Sequence, residues 1–205
     1  MSRKSLFTIF VLGILGAIGA YFLGREQERI RSLYGTGPHA LTVAELAEKG
    51  YGESIWLDLK DVELGKDYVV ESRKGSISAV WFPAFPKGKA AQAKSIQVVL
   101  RSTRSKNDAE IRERFAGRSS FRGAVINPIL LQPYEPYRPL FQQAYPSLAL
   151  APTIWEVDID YTEKPSEKWA TGFYAAAAGL GVIGMIFGFF GVLGFSSGKR
   201  ADSGF

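Results

Sequence analysis

Two stretches without a single charged side chain bracket this chain, one over residues 5–24 and the other over residues 169–198. A bilayer's hydrocarbon core of roughly 30 Å is crossed by about 20 helical residues rising 1.5 Å each. Both stretches are long enough, and no soluble fold of ordinary size has a use for two such segments at its ends. The pattern therefore predicts a span, a domain and a second span. The expected boundaries are a cytoplasmic tail over 1–4, a transmembrane helix over 5–24, a soluble β-rich domain over 25–168, a second transmembrane helix over 169–196 and a cytoplasmic tail over 197–205.

The first span follows Arg3 and Lys4 and runs from Leu6 to Leu23. A basic start before an apolar run is also the form of a signal peptide, with Ala17-Ile18-Gly19 as a small-x-small cleavage site. The run is longer than a usual signal core, and Tyr21-Phe22-Leu23 carry it past that site. Gly13, Gly16 and Gly19 place small residues along one side, which favours close approach of another helix. The second span is richer still, with Gly179, Gly181, Gly184, Gly188, Gly191 and Gly194, and Gly184 and Gly188 form a GxxxG pair. Gly13, Gly16, Gly184 and Gly188 are the expected helix-packing positions. Two readings follow: the spans of one chain pack together, or the second span also pairs with a copy of itself or with another membrane protein. Trp169, Phe173 and Tyr174 stand where an interfacial aromatic belt is expected. The short basic ends, Arg3-Lys4 and Lys199-Arg200, predict both termini in the cytoplasm and the central domain outside, in a multi-pass protein of the cell membrane.

Between the spans the pattern turns to short elements. Thr42 and Glu45 have capping-box spacing and open a helix that Gly50 closes. Ile55, Leu57 and Leu59 alternate with Trp56, Asp58 and Lys60, the period of a half-buried strand. Further strands are expected over 67–72, 76–82, 96–100, 121–126 and 154–161, with a hairpin-like turn at Lys74-Gly75. Asn107 or Asp108 caps a helix through Phe115, and a short helix is expected near 140–145. Four strands, a helix and another strand approach the order of an OB-type barrel, with the helix one strand late. The fold class expected is thus α+β, two transmembrane helices flanking a mainly-β, OB-like small barrel with peripheral short helices.

The formal charge of +5 conceals segregation. Residues 73–122 carry twelve Lys/Arg against three acids, whereas 24–72 and 123–169 are net acidic. Arg73, Lys74, Lys94, Arg101, Arg104, Arg112, Arg118 and Arg122 form a candidate basic face for anionic lipid or an acidic polymer, each residue near a lipid surface contributing about 1 kcal/mol. The alternative is that acidic strands pair with basic ones. Nucleic acid is not expected as a partner, because the aromatics alternate with core positions and form no stacking platform.

Sites for chemistry are scarce. There is no cysteine, which excludes disulfides and thiolate sites, and the one histidine, His39, stands in a Gly-Thr-Gly-Pro-His loop without partners at ligand spacing. No nucleophile elbow, phosphate loop or dinucleotide fingerprint is present. Glu156, Asp158 and Asp160 alternate along one strand and are expected to form a solvated acidic face. Pro133, Pro136 and Pro139 have polyproline II spacing and read as a rigid connector. No catalytic residue, metal site or cofactor is expected.

The layout resembles that of surfeit-type haem-oxidase assembly factors, which carry a span at each end of a β-rich domain. Leu41-Thr-Val-Ala-Glu-Leu46, the β run after it and the glycine-rich last span are similar to uncharacterised bacterial two-span membrane proteins with a central β domain. That likeness implies no activity; the function expected is that of a membrane-anchored, non-enzymatic assembly or scaffold factor acting through the central domain, in contact with another membrane protein or with itself through the second span. The alternative function is an anionic-lipid or acidic-polymer binding module using the basic 73–122 face.

Overall fold

The computed structural model describes residues 3–129, 135 and 137–197. In chain order the elements are α1 (Arg3–Leu33), β1 (His39–Thr42), α2 (Val43–Lys49), β2 (Trp56–Lys60), β3 (Val62–Leu64), β4 (Val69–Arg73), β5 (Ser76–Pro86), β6 (Ser95–Ser102), α3 (Asp108–Phe115), β7 (Phe121–Val125), α4 (Tyr137–Ala144), β8 (Ala149–Asp158) and α5 (Glu167–Ser197). They divide into two units, residues 1–31 with 165–205, and residues 32–164.

The first unit is an antiparallel pair of helices, each long and apolar enough to cross a membrane. A Cβ added at Gly13 would lie 2.9 Å from the Gly184 Cα, and one at Gly188 would lie 2.7 Å from the Phe10 ring. Ala17 meets Gly181, Gly24 meets the Tyr174 ring, and Arg31 pairs with Glu167 at 3.1 Å. On α5 the contacts at Glu167, Tyr174 and Gly181 recur at a heptad spacing that continues through Gly184 and Gly188, the seam of left-handed helix packing. Gly16 meets the Leu180 side chain, whereas Gly19, Gly172 and Gly179 have nothing within 4 Å of an added Cβ. Phe7, Leu12, Phe22, Met185 and Phe189 are more than half exposed on the other sides.

The second unit is one mixed sheet. Its ladders run in the order β1-β2-β7-β8-β6-β5-β3, with β4 also on β5. β1 with β2 and β6 with β8 are parallel, and the other pairs are antiparallel. The ladder path is open, so the small closed barrel expected from the strand count is not completed by these pairings. Local chemistry sets the boundaries much as the sequence implies. Thr42 and Glu45 form a reciprocal capping box on α2, and Gly50 ends it at φ +75°. Asn107 caps α3 through the Glu110 N–H. The last strand starts earlier than expected, at Ala149, because β6 supplies a parallel partner from Ser95 onward. Residues 133, 134 and 136 of the proline motif and the basic pair 199–200 lie outside the described residues.

One face of the sheet gathers Leu57, Leu59, Val80, Phe82, Leu100, Val125 and Val157, covered by Ile111 and Phe115 of α3. On the other face, Ala79, Trp81, Val99 and Ile154 pack against Tyr137 and Phe141 of α4. Burial on both faces is what separates this sheet from the half-solvated one that its alternating strands imply.

Candidate functional site

The register of the central strands draws a row of side chains across the α4-covered face. Trp56 pairs with Ala124, Ala124 with Asp158, Asp158 with Arg101, Arg101 with Trp81 and Trp81 with Val69. Glu156 stands one step along on the same face, opposite Val99. Here the expected solvated acidic strand is overturned. Glu156, Asp158 and Asp160 are 4%, 1% and 8% exposed. Period-2 alternation identifies two faces but says nothing about whether a later element covers the polar one.

Each carboxylate has a different answer to burial. Glu156 accepts a 2.8 Å hydrogen bond from Trp81 Nε1, and Arg101 lies 3.7 Å away, too far for a hydrogen bond. Burial dominates and pushes its carboxyl up to about 7, against the Trp81 bond and the Arg101 charge. Asp158 accepts the Asp160 N–H at 2.9 Å and faces Arg101 at 3.7 Å, and burial likewise lifts it to about 6. Asp160 is the best provided: it accepts from the Thr103 N–H (2.6 Å), the Arg104 N–H (3.0 Å), Thr103 Oγ1 (3.0 Å), Ser102 Oγ (3.1 Å) and Arg114 (2.7 Å). It fastens the loop between β6 and α3 to the end of β8. Among the described residues, Tyr34 Oη, Trp56 Nε1 and Arg101 Nε are buried without a hydrogen-bond partner. Burial, with the Tyr161 and Asp158 charges behind it, raises the Tyr34 hydroxyl to about 12, so it stays protonated.

The basic residues do not share one face. Arg101 turns into the buried row, Arg122 pairs with Asp58 at 3.4 Å, and Arg73 pairs with Glu71 on its own strand. Arg104 binds through its backbone and leaves its side chain exposed, while Lys74 and Lys94 stand exposed at the β4–β5 turn and before β6. Pairing of acidic with basic strands thus holds for Arg101 and Arg122, and Arg114 of α3 pairs with Asp160. His39 begins edge strand β1 and is exposed. Among the described residues, no group of three His, Asp or Glu is arranged to hold a metal ion.

Arg112 and Arg118 have a different setting. They line a groove of about 740 Å³ between β3 and α3, together with Lys66 and Lys87. Tyr68 forms its open apolar side, stacked on Phe82 at 4.8 Å, while Phe82 and the Phe115 ring 4.4 Å behind it are buried in the core. Tyr68 is held by a 3.2 Å hydrogen bond to Asp108. Among the described residues, none of the four cations makes an ion pair. Sequence reasoning found Arg112 and Arg118 but passed over Lys66, which lies outside the basic run, and Tyr68, whose ring reaches α3 only through the fold.

No family model, curated protein or solved structure matches this chain.

Proposed function

We propose that this chain is a two-span protein of the cell membrane whose sheet domain, held on the extracytoplasmic side, binds another protein as an assembly or scaffold factor and catalyses no reaction. The observation that carries the reading is the helix pair. Its glycines are spent on the contact between α1 and α5, and large apolar side chains such as Phe7, Phe22 and Phe189 stand bare around it. An apolar surface of that extent is stable in lipid and not in water. The buried carboxylates support the non-catalytic part, since Asp160 is saturated by loop donors and Glu156 is engaged by Trp81.

The sheet supports an OB-like reading once β2, β3 and β4 are taken as one bent strand. The bend falls at Asp61, at φ +53°, and the Val62 N–H donates to Ser119 O at 2.9 Å, carrying the β2–β7 neighbourhood past it. The first part of that strand pairs with β7 and the rest with β5, which brings the two sides of the sheet together. With the edge strand β1 set aside, five strands result, and α3 lies between the third and the fourth, the helix position of the OB order.

Extraction of the full chain in mild detergent followed by crosslinking tests the function. Specific co-purifying membrane proteins are expected, and a clean monomer with no crosslinked partner would sink the proposal. Protease accessibility in intact cells against inverted vesicles checks the side on which residues 32–164 lie.

A further inference from the structure

Glu156 lies beneath a cover that is more loosely tied than its own strand. Its backbone is held on both sides: the Glu156 N–H donates to Asn127 Oδ1 at 2.8 Å, its carbonyl accepts the Ile126 N–H at 2.9 Å, and Val99 of β6 is its register partner. Over its side chain lies α4, whose Tyr137 ring packs 5.7 Å from the Trp81 ring that bonds Glu156. This helix has eight residues and is seated in the apolar cluster by Tyr137 and Phe141. Its two ends differ. Beyond the last turn, the Tyr145 hydroxyl accepts the Asp67 N–H at 2.8 Å and donates to Asp67 O at 2.6 Å, which anchors that end to the sheet. At the first turn the ties run through the half-buried Arg138, which pairs with Glu135 and donates to Ala151 O at 3.1 Å and Pro152 O at 2.9 Å. Water can replace bonds of that kind.

The groups facing the Glu156 carboxyl are poorly matched to a negative charge. Trp81 Nε1 donates from β5, and the Arg101 guanidinium of β6 stands 3.7 Å away, at the same distance from Asp158. Its own strand adds the Asp158 carboxylate. The entry to α4 adds Glu135 and the Tyr137 hydroxyl, which donates to Glu135 at 3.3 Å. Burial, with the Glu156 and Glu135 charges behind it, raises that hydroxyl, so it stays protonated. One guanidinium is thus shared by two buried carboxylates, with a third at the entrance of the covering helix. An ionised Glu156 gains by reaching water, and its strand, bonded on both sides, cannot turn to carry it there.

We propose that α4 is a proton-sensitive strap, closed over Trp81 and Glu156 while the Glu156 carboxyl is protonated and opening from its first turn when that group ionises. Burial holds the covered carboxyl at about 7, whereas an uncovered one has an ordinary carboxylate value. The closed form therefore holds more protons than the open one. Its advantage is complete below the ordinary carboxylate range and is lost as pH rises through about 7.

Hydrogen exchange of the full chain in neutral detergent, followed by mass spectrometry and corrected for the intrinsic pH dependence of amide exchange, tests this. Between about pH 5.5 and 8, exchange across residues 137–144 is expected to rise at least about tenfold, as a carboxyl raised this far by its cover implies. The rise should be insensitive to low urea, because local opening exposes little surface, whereas exchange in β6 and β8 should grow with urea as global unfolding does. Glu156→Gln keeps an acceptor for Trp81 and is expected to abolish the rise; Asp158→Asn is expected to retain it. A flat profile over α4, as when water reaches Glu156 along Arg101 instead, would overturn the proposal. So would a rise that grows with urea in step with the strands, or one that survives in Glu156→Gln. The first two outcomes are read on the unaltered chain, so the test stands even where a variant fails to fold.

Discussion

Replacing Asp160 by alanine removes the acceptor on which the β6–α3 loop depends. Five donors converge on its two oxygens, and two of them, the Thr103 and Arg104 N–H groups, are backbone groups that cannot turn away. Hydrogen bonds to a charged partner contribute roughly 1.5–3 kcal/mol each when intact, and a buried donor left alone costs about 1–3 kcal/mol. The hydroxyls of Ser102 and Thr103 can find other acceptors, and Arg114, about a third exposed, can reach water. Counting only the two backbone donors and part of the Arg114 pair gives a loss of about 3–5 kcal/mol, the range for breaking a buried charged contact. Against a total stability of about 5–15 kcal/mol, that is a large fraction. Urea denaturation of the full chain in detergent, followed by tryptophan fluorescence, reads it directly, since Trp81 and Trp155 lie in the sheet domain. In a double-mutant cycle, Asp160→Ala with Arg114→Ala is expected to show coupling of about 1–3 kcal/mol. A loss below about 1 kcal/mol in Asp160→Ala would refute the idea that this carboxylate holds the loop.

Three other outcomes are open to measurement. Glu156 and Asp158 have folded values of about 7 and 6, raised above the ordinary carboxylate range by burial, so the folded state holds more protons than the unfolded one between about pH 4 and 7. Their stabilising contribution is present at low pH and lost as pH rises through that window, by roughly 3 kcal/mol per carboxyl; Glu156→Gln with Asp158→Asn should flatten the fall between pH 5 and 7.5 in thermal melts, and an unchanged slope would contradict the burial argument. In the helix pair, a Cβ at Gly181 lies 3.8 Å from the Ala17 Cβ, within disulfide range, so Ala17→Cys with Gly181→Cys in this cysteine-free chain should form an intramolecular bond under mild oxidant, whereas Gly19→Cys with Gly179→Cys should not. Gly123→Ala would press a methyl group to 2.5 Å from Asp158 O, a backbone atom of the neighbouring strand, and is expected to cost about 1–3 kcal/mol in chemical denaturation.

The apolar ends, the helix caps and most strand positions were legible because each is written in a contiguous stretch. Thr42, Glu45 and Gly50 specify α2 without help from the rest of the chain, whereas α3 was legible with its cap open between Asn107 and Asp108, and the structure gives it to Asn107. The glycine content of the two apolar helices was legible, though not which glycines lie against the other helix: Gly13 and Gly184 touch, while Gly19 and Gly179 face open space. The acidic strand was misread for a different reason. Glu156, Asp158 and Asp160 look like a polar face in sequence, and only the packing of α4 and the turn of Arg101, Trp81 and Arg114 toward them makes that face an interior.

The sequence by itself thus determined two apolar helices at the ends with a strand-rich domain between them, the local helices and the alternation of strands, since these follow from hydropathy and from bonds closed within a few residues. Tertiary structure alone decided which charges meet. Arg101 and Arg122 are drawn into pairs across the sheet, whereas Arg112 and Arg118 are left with Lys66 and Lys87 around one groove. The distinction arises because charge pairing depends on strand register and on what covers each face, and both are settled between residues far apart in the chain.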